Sequence, residues 1–241
     1  MNNRGKLYLI PTVIADNTAD KVIPIQVKDA LRSLRHFLAE DIRTARRYLA
    51  SLKIYDTVES LTFERLDKNT SYDDLREIFQ PIFDGHSMGV LSESGCPGIA
   101  DPGALAVHFA HEHEIEVVPL VGPSSILLAL MASGLNGQHF TFHGYLPVET
   151  REGARIIREL EKESRRSRQT HIFIETPYRN NRLLKNLLST LNEETYLCVA
   201  SDLTGSSEWI RTATVGQWRK NPPELPRQPA VFLMNAFVAK Q

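Results

Sequence analysis

Ser-Met-Gly-Val-Leu-Ser-Glu-Ser-Gly-Cys-Pro-Gly-Ile-Ala-Asp-Pro-Gly, residues 87–103, decides the fold. A short apolar strand runs into a turn that holds Gly95, Pro97, Gly98, Pro102 and Gly103. Glycines admit positive φ and let a ligand approach the backbone, and prolines stiffen what lies between them. Asp101 is placed to cap a helix whose first residue is Pro102. That helix runs from Ala104 to Glu112, with Leu105, Ala106 and Phe109 on its apolar face. A strand, Ile115 to Leu120, leads to a second turn of the same character, Gly122-Pro123-Ser124-Ser125, which opens a helix through Ile126, Leu127, Leu130 and Met131. Two strand-turn-helix units in succession predict parallel strands with right-handed crossovers. Both turns then lie at the carboxyl edge of one sheet, where open α/β sheets bind ligands.

Either turn alone is ordinary punctuation of an α/β protein; the pair is the signal. Gly95-Cys-Pro-Gly98 lacks the third glycine of G-x-G-x-x-G and the Lys-Ser/Thr of a P-loop, which disfavours a dinucleotide dehydrogenase or a P-loop NTPase.

At 241 residues and 42% hydrophobic content the chain suffices for one large or two smaller α/β domains. No apolar run approaches the roughly 20 residues that span a bilayer, and the start enters a strand without a signal-peptide core. A cytoplasmic protein is expected. Two cysteines, Cys96 and Cys198, are too few for a disulfide framework and stand in no metal-ligand spacing, so no metal is expected. Cys96 lies in the main turn and lines it without needing to be reactive. A net charge of −1 excludes a protein that coats nucleic acid by charge alone, but not local basic clusters.

Lys6 to Ile14 reads as a first strand buried on both faces. A helix is predicted over residues 25–34, a strand over His36 to Ala39, then Glu40-Asp41 at the start of a helix bearing Arg43, Arg46 and Arg47. Acidic residues there suit the helix dipole, and five charges also fall within a few residues of a strand end. Ser60 to Phe63 reads as a strand, and Ser71 as the cap of a helix from Tyr72 to Phe83. Gly134-Leu-Asn-Gly137 breaks the chain, placing a domain boundary near 134–138, with domains 1–134 and 138–241. Beyond it come a strand over His139 to Pro147 and a helix over 150–168 whose basic run is read as a solvated face rather than an RNA contact. A strand His171 to Ile174, a turn Glu175-Thr-Pro-Tyr-Arg179 and a helix with a Leu183, Leu184, Leu187, Leu188 stripe follow. Strands at Tyr196 to Ser201, Glu208 to Thr212 and Ala230 to Val238 are closely spaced and predicted antiparallel, giving a mixed second sheet.

These motifs resemble the tetrapyrrole (corrin/porphyrin) methylase superfamily, and within it the branch that methylates small-subunit ribosomal RNA. Leu-Tyr-Leu-Ile-Pro-Thr (7–12) is similar to the family's first strand, and Ala39-Glu-Asp-Ile-Arg43 to its Cys-Glu-Asp-Thr-Arg. Leu91 to Gly103 resembles Val-Ser-Asp-Ala-Gly-Thr-Pro-Leu-Ile-Ser-Asp-Pro-Gly. Pro119 to Ser125 with Ala132 to Leu135, Gly144-Tyr-Leu-Pro147 and Glu175 to Arg179 (family Glu-Ser-Pro-His-Arg) also match, in order along nearly the whole chain. The sequence departs from the pattern at Ile14-Ala-Asp-Asn17 (family Ile-Gly-Asn), at Glu93 (Asp), at Tyr178 (His) and at Leu66-Asp-Lys-Asn69 (His-Glu-His-Asn).

The resemblance implies an α/β chain of two domains, a parallel-sheet N-terminal one and a mixed-sheet C-terminal one. It also implies S-adenosyl-L-methionine in the cleft between them, in a homodimer. The cofactor is expected against Pro11, Ser92, Glu93, Ser94, Gly95, Cys96, Ile99, Ala100, Ser124, Ser125 and Ile126. For a ribose 2′-hydroxyl acceptor a carboxylate serves as base, with Glu40, Asp41 and Glu175 as candidates, while Arg43, Arg47 and Arg179 hold phosphates. Each carboxylate is equally accounted for by a helix-start or salt-bridge role. Three functions stay open: 2′-O-methylation of ribosomal RNA, carbon methylation of a tetrapyrrole, and non-catalytic RNA binding on the same fold.

Overall fold

The computed structural model describes residues 4–237. They form two compact units that divide between Ser124 and Ser125.

The first unit holds β1 (Leu7–Ile10), α1 (Ala19–Val22), α2 (Ile25–Ser33), β2 (His36–Ala39), α3 (Ile42–Ser51), β3 (Thr62–Arg65), α4 (Leu75–Ile78), α5 (Gln80–Phe83), β4 (Met88–Leu91), α6 (Gly103–Glu112) and β5 (Val117–Pro119). Its sheet has the order β3-β2-β4-β1-β5, every pair parallel. Successive strand residues point to opposite faces, and each face has its own core. Ile10, Phe37, Ala39 and Leu91 join Val27, Leu31, Tyr48 and Leu49 on one side. Leu7, Leu38, Met88 and Val90 join Phe79, Ile82, Ala106 and Phe109 on the other. Cover on both faces explains why the inner strands β1 and β4 read as unbroken apolar runs.

The elements are shorter than the sequence predicts where a proline or a turn intervenes. β1 stops at Ile10 because Pro11 has no N–H to give a ladder. The helix expected from Tyr72 to Phe83 is instead the pair α4 and α5, separated at Phe79, with Pro81 in the first turn of α5. Ser71 closes a turn ahead of α4, where its Oγ accepts from Asp74 N at 3.3 Å. The strand predicted from Ser60 lies two residues further on, with Thr62 opposite His36.

The second unit holds α7 (Ser125–Ser133), β6 (Phe140–Tyr145), α8 (Thr150–Ser167), β7 (Thr170–Glu175), α9 (Asn180–Thr190), β8 (Tyr196–Ser201), β9 (Trp209–Thr214), α10 (Val215–Lys220) and β10 (Ala230–Asn235). The order is β6-β7-β10-β8-β9; β6 and β7 are parallel and the other pairs antiparallel, so the sheet is mixed. Val238, the expected end of the last strand, lies outside the described residues. One core joins Phe173, Val199 and Phe232 to Ile157, Leu160, Leu184, Leu187 and Trp218 of the three helices α8, α9 and α10. α7 packs on β8, β9 and β10, and Thr212 Oγ1 donates to Ser133 O at 2.7 Å. The glycines of 134–138 that mark the sequence's domain boundary therefore follow a helix that packs with the second sheet.

α8 buries Ile157, Leu160, Glu161 and Ser164 and exposes its arginines, as a solvated basic face should. Buried Glu161 accepts from Asn192 N at 2.8 Å and from Thr195 Oγ1, fastening the helix to the loop before β8. α10 has no counterpart in the sequence reading; a capping box between Thr214 and Gln217 starts it, and Trp218 anchors it by donating from Nε1 to Leu197 O at 2.9 Å. Among the described residues no helix is long and apolar enough to cross a membrane.

Candidate active site

The register of the first sheet lines up the ends of its strands. Ile10, Ala39 and Leu91 stand side by side, and Leu9 faces Pro119. Pro11 and Thr12, Glu40 and Asp41, Ser92 and Glu93, and Leu120 and Val121 therefore leave the same carboxyl rim.

Three turns are knitted together there. Thr12 N donates to Gly95 O at 2.9 Å, Tyr48 OH to Pro11 O at 2.8 Å, and Cys96 Sγ lies 3.3 Å from Pro123 O. A side chain at Gly122 would meet Pro11 Cβ at 2.0 Å, and Gly95, at φ +76°, has Pro123 O 3.2 Å from where its Cβ would stand. Glycine is required at both for different reasons, close approach at the first and a left-handed backbone at the second. Asp101 Oδ1 accepts from Gly98 N at 2.6 Å and from Gly103 N at 2.8 Å. The predicted cap is thus Asp101, but α6 begins at Gly103 and Pro102 takes the cap position. Ala100 is held at φ +59°, a strained conformation for alanine, and it remains exposed with Ser94 and Ile99. Burial raises the Cys96 thiol, so it stays protonated and lines the turn.

Carboxylates gather beside this rim. Burial, then the charges of Glu40, Asp41 and Asp101, raise the Glu93 carboxyl above its ordinary value. Asp41 is committed: its Oδ1 accepts from Thr44 N at 2.7 Å as the cap of α3, and that bond holds its pKa below the usual carboxylate value. Glu40 makes no hydrogen bond or ion pair among the described residues and is half-buried. A cavity of about 530 Å³ in this unit is lined by Thr12, Ser92, Glu93, Arg47, Tyr48 and Lys53, among others. Thr12, 4% exposed, has a buried Oγ1 with no partner. Arg43 and Arg47 are exposed, whereas Arg46 lies over the Phe63 ring at 5.1 Å.

The remaining expected residues belong to the second unit. Glu175 is 8% exposed; its Oε1 accepts from Thr176 N at 2.7 Å and from Arg179 Nε at 2.8 Å and Nη2 at 2.6 Å. Each of the two is thus occupied by the other. Ser125 opens α7 and Ile126 is buried in its first turn, while Ser124 ends the first unit. The sequence reading did not single out the β8–β9 turn, where Asp202 and Thr204 take φ +51° and +69° without being glycine. Nor did it foresee the raised pKa of Glu93, which burial causes first and the charges of Glu40, Asp41 and Asp101 add to. Asp in a turn was the available signal for the first; nothing local signals the second.

The residues present fit a donor with polar and charged groups. The glycine-built rim admits close backbone approach, and the orphaned Thr12 hydroxyl calls for a partner. Among the described residues no group of three or more His, Cys, Asp or Glu is placed to hold a metal.

Residues 17–218 match the model of the Tetrapyrrole (Corrin/Porphyrin) Methylases. The chain is 33% identical over 210 residues to the ribosomal RNA small subunit methyltransferase I of Vibrio cholerae, covering 87% of this chain and 69% of that protein. It is 29% identical to the protein of that name from Escherichia coli O157:H7, covering 100% and 81%. Among solved structures it resembles the methyltransferase CobJ at a TM-score of 0.62 and 19% identity, over 96% of this chain and 95% of that one. It also resembles uroporphyrin-III C-methyltransferase from Thermus thermophilus in complex with S-adenyl homocysteine, at 0.56 and 16%, over 96% and 97%. The parallel first sheet, the mixed second sheet and the motif order agree with a match that spans most of the sequence: the chain belongs to the tetrapyrrole (corrin/porphyrin) methylase family.

Proposed function

We propose that this methyltransferase moves a methyl group from S-adenosylmethionine to a ribose 2′-hydroxyl of small-subunit ribosomal RNA. What supports this reading most is the uncommitted Glu40 beside Glu93, next to the exposed Arg43 and Arg47, at the rim where the glycine turns meet. The donor supplies a methyl group already activated by its sulfonium charge, so the protein has two tasks: alignment, and removal of the hydroxyl proton. Pro11, Thr12, residues 92–100 and Ser124 hold the donor. Arg43 and Arg47 take phosphates through the guanidinium fork. Glu40 or Glu93 accepts the hydroxyl proton as the new O–CH₃ bond forms and the S–CH₃ bond breaks. Asp41 shapes the helix start and Glu175 fixes Arg179, both as positioning residues. The protein acts in the cytoplasm as a homodimer, for which sedimentation equilibrium is the check.

Glu40→Ala and Arg43→Ala, assayed with tritiated donor on ribosomal RNA, are expected to lower kcat/KM by at least about tenfold. Full turnover in both variants would remove the acceptor-site assignment.

A further inference from the structure

Tyr178 lies in the turn between β7 and α9 and is 81% exposed. A lone exposed tyrosine is ordinary. This one sits on a turn tied down on both sides. Before it, Glu175 holds Thr176 N and the Arg179 guanidinium, and Arg179 N donates to Thr176 O at 2.9 Å. After it, Asn180 Nδ2 donates to Gln228 O at 2.7 Å, Asn181 Nδ2 to Leu225 O at 2.9 Å, and Leu225 N to Asn181 Oδ1 at 2.8 Å. These bonds strap the segment 225–228 to the turn on either side of Arg227, whose guanidinium lies 5.9 Å from the centre of the Tyr178 ring. The ordering of both loops is therefore complete before any partner arrives, and a flat aromatic face is left to water.

A rigid aromatic platform with a guanidinium beside it matches one kind of partner. An unpaired nucleobase offers a π-face for stacking, and its phosphate is attracted by the arginine. Arg182, exposed in the first turn of α9, adds a second cation that makes no ion pair among the described residues, while the buried Glu175 is already paired with Arg179. We propose that Tyr178, backed by Arg227, stacks an unpaired base of the RNA substrate and so selects a single-stranded or splayed-out acceptor region. The inference rests on the RNA reading above.

The test is steady-state methyl transfer to ribosomal RNA by the full chain and by Tyr178→Ala, Tyr178→Phe and Arg227→Ala. It is accompanied by anisotropy titration with a short oligoadenylate and calorimetry with S-adenosylmethionine. Tyr178→Ala should raise KM for RNA and weaken oligoadenylate binding by about 5- to 100-fold, with a smaller change in kcat and none in donor affinity. Tyr178→Phe should keep near-normal values because the ring remains, and Arg227→Ala should weaken binding while flattening its salt dependence. Tyr178→Ala with an unchanged KM, in a protein that does methylate RNA, overturns the stacking role alone. Loss of donor affinity in that variant assigns the ring to the donor instead, and overturns it too. A wild-type chain that neither methylates RNA nor binds oligoadenylate overturns the RNA reading and the stacking role with it.

Discussion

Glu40 and Glu93 follow neighbouring parallel strands whose last residues, Ala39 and Leu91, are in register, and the Glu40 carboxylate adds to the burial that raises the pKa of Glu93. A base must be deprotonated to act, so kcat/KM should fall as pH drops through the raised Glu93 value. Removing the repelling charge lowers that value. The acid limb of the pH profile in Glu40→Gln is therefore expected to move to lower pH, even if the plateau rate drops. An unmoved acid limb would mean that Glu93 is not the group titrating.

Gly122 has no room for a side chain, since its Cβ would overlap Pro11. Gly122→Ala must push the β1 and β5 turns apart, at a cost of about 1 to 3 kcal/mol. Calorimetry should show donor binding weakened by more than about tenfold, with chemical denaturation reporting the stability loss. Gly137→Ala, at a position with open space around it, is the matched control and should leave both unchanged.

His171 is fully buried and its Nδ1 lies 2.8 Å from His143 Nε2. Burial first, then His143, bring its pKa down from 6.5 to about 4. Well above pH 6.5 the ring is neutral whether folded or not, and has no effect. Between 6.5 and about 4 the unfolded chain binds a proton that the native chain refuses, so stability falls as pH falls. The loss reaches about 3 kcal/mol at the lower end. Urea denaturation of His171→Gln should show a shallower decline over this window than the wild type.

Glu161 accepts three donors, Asn192 N, Asn192 Nδ2 and Thr195 Oγ1, within a 4% exposed site. Glu161→Ala strands those donors and should cost about 3 kcal/mol. Glu161→Gln keeps the volume but turns an amide N–H toward donors, and is expected to fall between the two. Equal midpoints for all three proteins in thermal denaturation would contradict the role.

Much of the fold was legible because its cues are local. The turn at 95–103 and the apolar strands reveal a parallel sheet, and the match at β8 extends to both ends, Tyr196–Ser201, because period and turn residues agree. Where tertiary contacts decide, the sequence was less informative. α10 forms around Trp218, whose burial depends on distant β8, whereas the break between α4 and α5 has a local cue, Pro81, that the helical periodicity outweighed. The same holds at the site. Asp41 reads as a helix start and is one, but that Glu40 is left uncommitted and Glu93 is protonated more readily follows only from strands paired across the chain. Likewise Glu175 and Arg179, proposed as base and phosphate clamp, satisfy each other once β7 meets α9.

The account is tested most directly by the chemical position of the transferred methyl group. Purified protein is incubated with tritiated S-adenosylmethionine and small-subunit ribosomal RNA from cells lacking this protein, and the RNA is then digested to nucleosides. The account predicts label in a 2′-O-methylated nucleoside. Label on a base, or none in RNA while the donor binds normally, would contradict it.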